Sequence, residues 1–495
     1  MHMPHWLDKR ASLTPNRIAI EYGNEQITFA QLRKQSLMTA SRISSLPTKQ
    51  GYRVALLCSN DSYTVELIHA IQYVGGIVVP LNIRLTAHEL RYQLQDAECS
   101  VLIYHPQFQQ LVELITSEYD SIRCISTTDL QQVELATDTP LITYIDQEET
   151  HSIMYTSGTT GSPKGVIQSY SNHWNSAVGS MLNLGLSEHD KWLVCVPLFH
   201  ISGLSIVIRS VIYGIPMVIH EKFEPAATNA AIIEQGVTIM SVVSTTLSRM
   251  ITQLGALRYP EHFRCMLLGG GPAPLSLLEQ CVAKGIPVFQ TYGMTETCSQ
   301  IVTLQPEYML SKLGSAGKPL FQAELNIMAD GHEAQALEAG EIIVRGPNVT
   351  AGYLNGVGAD SFANGWLYTG DIGYVDEEGF LYVLDRRKDM FVSGGENIYP
   401  AEIEAALISH ETVLEAGVTS IAHEHWGQVP VAFVVLESNT NQMIAVDELQ
   451  QYCAERLAKY KLPKQIHIVT QLPRNASNKL LRRDLLQLLP SKQGM

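Results

Sequence analysis

Three patterns in this sequence predict an α/β fold of more than one unit. Short apolar runs alternate with helical patterns from Arg53 to Tyr104 and again from Asn172 to Gln290. Strand–helix–strand alternation needs crossover connections, and these build a largely parallel, doubly wound sheet. Between about Lys312 and Leu384 the helical patterns stop and short apolar strands recur between Gly-rich turns, which reads as a small β-barrel or packed sheet. Near Asp385-Arg386-Arg387-Lys388-Asp389 charges abruptly replace apolar residues, as at an exposed junction, and a separate α+β unit follows. A chain of 495 residues suggests about three domain-sized units.

In the first alternating stretch Val54–Cys58 reads as a buried strand, Asp61–Val74 as a helix and Gly76–Pro80 as a strand. Thr86-Ala87-His88-Glu89 is a capping box that opens another helix, and Ser100–Tyr104 is the next strand. Residues 107–149 are more polar and irregular, and surface helices with a loop are expected there. His151–Tyr155 is a short apolar strand. Helices are then predicted at 172–184, 204–213, 226–235, 244–254 and 274–284. Strands are predicted at 191–196, 216–220, 238–242, 264–268 and 286–290. The strand-rich stretch has candidates at 323–328, 341–345, 373–375 and 380–384. The last unit offers helices from Ala401 and over 446–458, with strands near 413–418, 431–436 and 465–469.

Composition narrows the function classes. The chain is 45% hydrophobic and 17% charged, ordinary for a globular enzyme and unlike a disordered chain. Its net charge of −15 argues against nucleic acid as a partner, so any anion must be held locally by loops. No apolar run reads as a membrane span, and Met1–Arg10 lacks a signal-peptide core. The eight cysteines are scattered without C-x-x-C or zinc-ligand spacing, which reads as reduced, mostly buried thiols in a cytoplasmic protein.

The candidate chemistry lies in loops that follow strands, where doubly wound sheets bind ligands. Tyr155-Thr156-Ser157-Gly158-Thr159-Thr160-Gly161-Ser162-Pro163-Lys164-Gly165 carries no large apolar side chain apart from its opening tyrosine. It can lay N–H groups, hydroxyls and the Lys164 charge against phosphate oxygens. A Ser/Gly linker is the plain alternative; a Walker A loop fails, because that pattern puts Gly before the lysine and a hydroxyl after it. Phe199 and His200 stand between a strand and a helix, where a packed, helix-capping histidine is the plain alternative. Gly269-Gly270-Gly271 lets backbone approach a flat ring, or simply turns into the next helix. In Gln290-Thr291-Tyr292-Gly293-Met294-Thr295-Glu296-Thr297, Glu296 suits a hard cation such as Mg²⁺, Thr295 a phosphate oxygen and Tyr292 a purine face.

These loops, in this order and along nearly the whole chain, resemble the signatures of the AMP-forming acyl/aryl-CoA ligases, within the adenylate-forming superfamily. The resemblance implies a large N-terminal domain over 1–385 that includes the barrel at about 312–384. A hinge at 386–388 and a small, mobile C-terminal domain over 389–495 follow. It implies ATP and Mg²⁺ as cofactors and coenzyme A as a substrate. Thr156, Ser157, Gly158, Thr159, Thr160, Gly161 and Lys164 would cradle phosphates. Gly270, Gly271, Gln290, Tyr292, Gly293, Thr295 and Leu384 would surround the nucleotide. Glu296 would hold Mg²⁺, and Asp371 and Arg386 the ribose. Lys388 would be the pivot, and Gly394 would line the pantetheine tunnel. His200 and Gly269 would border the acid. Lys479 matches the catalytic lysine, although Asn478 stands where the broad family has Gly; Asn tolerates the left-handed backbone better than most residues.

The runs 267–274 and 292–303, with Asn475-Ala476-Ser477-Asn478-Lys479, are similar to the branch of that family that joins 2-succinylbenzoate to coenzyme A in menaquinone synthesis. That acid keeps a second carboxylate on its ring, and Ser299, with Arg84 as a charge partner, is expected to meet it. Another aryl- or acyl-CoA ligase and a stand-alone adenylation domain loading a carrier protein share the same motifs. A non-catalytic nucleotide sensor would have no need of Lys479. Several family members form dimers, which leaves a homo-oligomer as an expectation.

Overall fold

The computed structural model describes residues 2–46, 52–119, 121–136, 138, 141–156, 163–270, 273–385, 390–410, 412–436, 442–474 and 480–489. The chain divides into two compact units. Residues 1–83, 94–154 and 165–384 form the larger, and 84–93, 155–164 and 385–495 the smaller.

The larger unit holds the two predicted wound sheets. In the first, the strand order is Lys164–Ser169, Thr150–Thr156, Ile77–Pro80, Arg53–Leu57, Val101–Tyr104 and Arg123–Ser126. The four neighbouring pairs from Thr150–Thr156 to Arg123–Ser126 are parallel. Arg123–Ser126 is an addition to the sequence reading. It is a four-residue edge strand whose middle, Cys124-Ile125, is too short an apolar signal to stand out from a polar stretch. The helix Ser62–Tyr73 starts where expected, with the Asp61 carboxylate accepting the Thr64 N–H at 2.7 Å.

The second sheet has a parallel half in the order Ile18–Tyr22, Met217–Ile219, Trp192–Val194, Ile239–Val243, Cys265–Gly269 and Val288–Met294. It then continues antiparallel through Ser299–Leu304 and Ser315–Pro319 to Leu381–Asp385. From there it runs through Trp366–Val375 and Gly340–Arg345 to Glu324–Ala329 and His332–Glu333. The strand-rich stretch is therefore an extension of this sheet. Among the described residues the path stays open at His332–Glu333, so strand pairing does not close the expected barrel.

Two strands are longer or newer than the sequence reading had them, for one reason. Trp366–Val375 turns Leu367, Thr369, Asp371 and Gly373 inward, so polar residues occupy the buried phase and blur the apolar alternation. Ser299–Leu304 likewise buries Gln300 and Thr303 beside Ile301 and Val302.

The smaller unit has a sheet ordered Glu396–Ile398, Phe391–Ser393, Gly427–Leu436 and Val413–His423, with Gln465–Ile468 pairing parallel to Gly427–Leu436. The helices Pro400–Ile408 and Gln442–Arg456 accompany it. A buried ion cluster ties its pieces together: Lys461 Nζ lies 2.7 Å from both Glu89 and Glu402. Burial alone would lower the lysine pKa, but the carboxylates outweigh it, Glu402 first. Glu89 also closes the capping box foreseen at Thr86, accepting the Thr86 N–H at 2.8 Å. All eight cysteines are free thiols, and seven of them are buried. Among the described residues no helix is long and apolar enough to cross a membrane.

Four buried histidines, His5, His69, His151 and His173, gather in the larger unit. His5 stacks on Tyr73 at 3.9 Å, and His151 meets the edge of His173 at 4.4 Å. Burial is the first cause that pushes His5 and His173 down to about 3, His69 to about 4 and His151 well below its usual value. The folded state therefore holds them neutral, while the unfolded chain binds protons below about pH 6.5. Their contribution is complete above that pH and is lost as pH falls toward the folded values. We expect the unfolding free energy from urea titrations at pH 7.5, 6.5 and 5.5 to fall over the last interval. The slope should approach about 1.4 kcal/mol per pH unit for each histidine. A flat profile would contradict the neutral assignment.

Candidate active site

The centre of the site is a chain reversal at the end of the parallel sheet. Val288–Met294 runs out of the core, a short turn Thr295–Thr297 follows, and Ser299–Leu304 returns antiparallel. The reversal is tight because Gly293 faces Ser299. A Cβ on Gly293 would lie 2.1 Å from the Ser299 carbonyl oxygen and 2.7 Å from Gln300 Cα. Cys298 and Ser299 both take positive φ, 51° and 98°, which is uncommon for non-glycine residues and concentrates where function demands it. The turn is locked by Thr297 Oγ1, which donates to the Ser299 carbonyl at 2.6 Å and accepts the Met294 N–H at 3.0 Å.

This reversal presents Glu296, only 2% exposed, with Tyr353 OH donating to its Oε1 at 2.8 Å. The Thr350 N–H holds the Glu296 carbonyl at 2.8 Å, and Asn348 Nδ2 donates to the Thr297 carbonyl at 3.0 Å. Gln168 Nε2, on the strand that begins at Lys164, donates to the Thr295 carbonyl at 2.7 Å. The segment 348–353 thus braces the turn, and the sequence reading did not single it out. Its only signal was a run of Asn, Thr, Gly and Tyr in a turn.

Tyr292 OH donates to Asp371 Oδ2 at 2.8 Å, with both residues buried. Two residues expected around the nucleotide, 79 positions apart, are therefore in direct contact. The Asp371 N–H is anchored on Thr369 Oγ1 at 3.1 Å. Gln290 is 4% exposed and its Nε2 has no hydrogen-bond partner among the described residues, so it remains able to donate. Gly269 ends its strand and Gly270 follows at φ +87°. Leu384 lies exposed in Leu381–Asp385.

His200 caps the helix Ile201–Tyr213 through its backbone, and its ring lies 4.8 Å from that of Phe199. Asn60, also unforeseen, fixes this loop: its Nδ2 donates to the Val196 carbonyl and its Oδ1 accepts the Leu198 N–H, both at 2.9 Å.

In the smaller unit Thr156 ends its strand with a buried hydroxyl that has no partner among the described residues, and Lys164 begins the next strand. Gly394 sits at φ +58° against the Trp426 ring. Arg84 donates to Glu396 at 2.5 Å, so the guanidinium expected to meet a substrate carboxylate already has a carboxylate of the protein. Ser157, Gly158, Thr159, Thr160, Gly161, Gly271, Arg386, Lys388 and Lys479 lie outside the described residues.

The fit to Mg²⁺ rests on donor chemistry. Glu296 is a buried carboxylate among hydroxyl-bearing residues, which suits a hard cation. Among the described residues no group of three or more His, Cys, Asp or Glu could hold a metal ion.

The AMP-binding enzyme family profile matches residues 7–354, and the profile for the AMP-binding enzyme C-terminal domain matches 402–479. A 2-succinylbenzoate–CoA ligase of Geobacillus sp. (strain WCH70) is 54% identical over 494 residues, 99% of each chain. A double mutant of the o-succinylbenzoate CoA synthetase of Bacillus subtilis, solved with a product analogue, aligns with a TM-score of 0.92. It is 48% identical over 98% of both chains. The same Bacillus subtilis enzyme in complex with ATP and magnesium ion aligns at 0.77, with 47% identity over 98% of this chain and 100% of that one.

The reversal generates a direct test. Gly293→Ala places a methyl group into backbone that cannot retreat without breaking the pairing with Gln300. We expect this variant to lose about 3 kcal/mol of stability, the upper end of the usual cost of overpacking. Thermal unfolding of the purified variant measures it, and a melting temperature within about 2 °C of the parent would refute the close-approach argument.

Proposed function

The chain belongs to the AMP-binding enzyme family, and from that premise we propose that it joins 2-succinylbenzoate to coenzyme A through an acyl-adenylate, releasing AMP and pyrophosphate. This is a step of menaquinone synthesis. The observation that carries the reading is the 54% identity to a curated 2-succinylbenzoate–CoA ligase across essentially the full length of both chains.

In the first half-reaction the succinyl carboxylate attacks the α-phosphorus of ATP. The protein's task is to position the two groups in line and offset their charge. Lys479 bridges the carboxylate and the α-phosphate. Thr156, Ser157, Thr159, Thr160 and Lys164 hold the β- and γ-phosphates, and the Thr156 hydroxyl, which has no partner among the described residues, supports this role. Asp371, oriented by Tyr292, takes the ribose hydroxyls. Gln290 and the glycines at 269–271 face the base and the acid, and His200 borders the acid. Bound Mg²⁺, held by Glu296, neutralises phosphate charge. No covalent enzyme intermediate is needed.

In the second half-reaction the small C-terminal domain turns about Lys388. Lys479 withdraws and the Gly394 face lines the path of the pantetheine arm. The coenzyme A thiol attacks the acyl-adenylate carbonyl and AMP leaves. Dividing the steps between two arrangements keeps water from the mixed anhydride.

Pyrophosphate release from MgATP tests the reading on a panel of 2-succinylbenzoate, benzoate, 4-coumarate, acetate and a long-chain fatty acid. We expect turnover with 2-succinylbenzoate and, with coenzyme A present, its thioester. Turnover with another acid alone would keep the chemistry and discard the substrate. Lys479→Ala is expected to slow pyrophosphate release about a hundredfold or more. Conversion of supplied acyl-adenylate and coenzyme A to thioester should change far less, and equal loss in both assays would remove Lys479 from its role.

A further inference from the structure

The larger unit buries a chain of polar side chains that the mechanism above does not use, and it ends on the turn that presents Glu296. Consecutive carbonyls from Thr295 to Cys298 each accept a hydrogen bond from outside that segment. Gln168 Nε2 holds the carbonyl of Thr295 at 2.7 Å and the Thr350 N–H that of Glu296 at 2.8 Å. Asn348 Nδ2 holds that of Thr297 at 3.0 Å, and Ser176 Oγ that of Cys298 at 2.5 Å. Asn172 Nδ2 in turn donates to the carbonyls on either side of Asn348, Pro347 at 3.0 Å and Val349 at 2.9 Å. Asn172 and Ser176 lie one turn apart on the helix Tyr170–Leu184 and so share a face.

Gln168 differs from the other braces because its amide is bonded at both ends. Ser152 Oγ lies 3.0 Å from Gln168 Oε1 and 2.9 Å from His173 Nε2. The far end of the chain fixes the direction of every bond in it. The Thr295 carbonyl can only accept, so the Gln168 amide turns its N–H toward it and its oxygen toward Ser152. Ser152 then gives its one proton to Gln168, and His173 carries its own proton on Nε2 and donates it to Ser152. Ser152, Gln168 and His173 are all buried. Apolar residues would fill that space at a lower desolvation cost, so a fully bonded chain of this kind serves to fix geometry. It ties the Thr295–Thr297 turn to the two strands that flank the phosphate loop in the sequence. Ser152 lies on Thr150–Thr156 and Gln168 on Lys164–Ser169.

We propose that Gln168 is a positioning residue for the magnesium-dependent half-reaction: backed by Ser152 and His173, it holds the Thr295 carbonyl and so fixes where the neighbouring Glu296 presents its carboxylate. The inference rests on the reading above, in which Glu296 holds Mg²⁺, and deepens it. Gln168 acts through the backbone of the turn, not on the metal. Removing an outer partner lets a metal ligand drift from its place and commonly costs about ten- to a hundredfold in metal affinity or activity. The effect is confined to adenylation, because the thioester step starts from the acyl-adenylate and has no triphosphate to hold.

The test is calorimetric titration of ATP into wild type, Gln168→Leu and Ser152→Ala, once with excess Mg²⁺ and once with EDTA. For Gln168→Leu we expect Kd for ATP to rise about tenfold with Mg²⁺ and to change by less than about twofold with EDTA. Ser152→Ala frees the amide to turn and should shift the ratio of the two Kd values about fivefold in the same direction. In Gln168→Leu, kcat for pyrophosphate release should fall about tenfold, while conversion of supplied acyl-adenylate and coenzyme A to thioester stays within about twofold. A merely structural glutamine would weaken both forms of ATP alike and lower both half-reactions together. A Kd ratio within about twofold of wild type overturns the proposal. If Gln168→Leu does not fold, the Ser152→Ala ratio decides in the same way. Wild type that releases no pyrophosphate with any acid overturns the functional reading, while the Kd ratio still decides the role of Gln168.

Discussion

The close approach of Gly293 to the Ser299 carbonyl is the constraint on which the site depends. A parallel sheet has to end, and here its last strand doubles back within five residues. That return puts Tyr292 within reach of Asp371 and Glu296 within reach of Tyr353. It also leaves Ser299 in a backbone conformation that non-glycine residues seldom take. The same return starts the antiparallel extension that delivers Asp371 on a strand of its own. Fold and site are therefore built by one event: the switch from parallel to antiparallel pairing next to the strand ends.

Around that reversal the supports are hydrogen bonds to and from backbone groups, made by the side chains of Gln168, Asn348 and Asn60 and by the backbone N–H of Thr350. Gln168, Asn348, Thr350 and Asn60 hold loops by their main chain, so the loop side chains stay available to ligands. Such bonds contribute about 1 kcal/mol each, and their value lies more in fixing geometry than in stability. The electrostatics follow a similar division. Lys461 has its two carboxylates inside the smaller unit, whereas the buried Arg209 of the larger unit has none among the described residues.

Much of the wound architecture was legible because buried parallel strands and their helices carry strong, separate apolar periods. Ser244–Leu254 was foreseen to the residue, and most other elements to within a few. The glycine and hydroxyl loops stood out as candidate ligand sites because they carry so little apolar content after a buried strand. Illegible were features that depend on partners far apart in sequence. Tyr353 and Glu296 are 57 positions apart, and no local pattern joins them. Strands such as Trp366–Val375 were shortened because their inward positions carry Thr369 and Asp371, buried polar residues that break the apolar pattern. Arg84 looked like an unattached cation because its partner, Glu396, lies 312 positions later.

The burial of the cysteines bears on the chemistry in a further way. A protein that makes a mixed anhydride exposes its own nucleophiles to acylation, and a thiolate is the most dangerous of them. Burial pushes every one of the eight thiols above its usual range, including the partly exposed Cys124 at about 11. At neutral pH the polypeptide thus carries essentially no thiolate. The one sulfur nucleophile able to meet the activated acid is the one brought by coenzyme A, and the protein escapes self-modification without a dedicated shield.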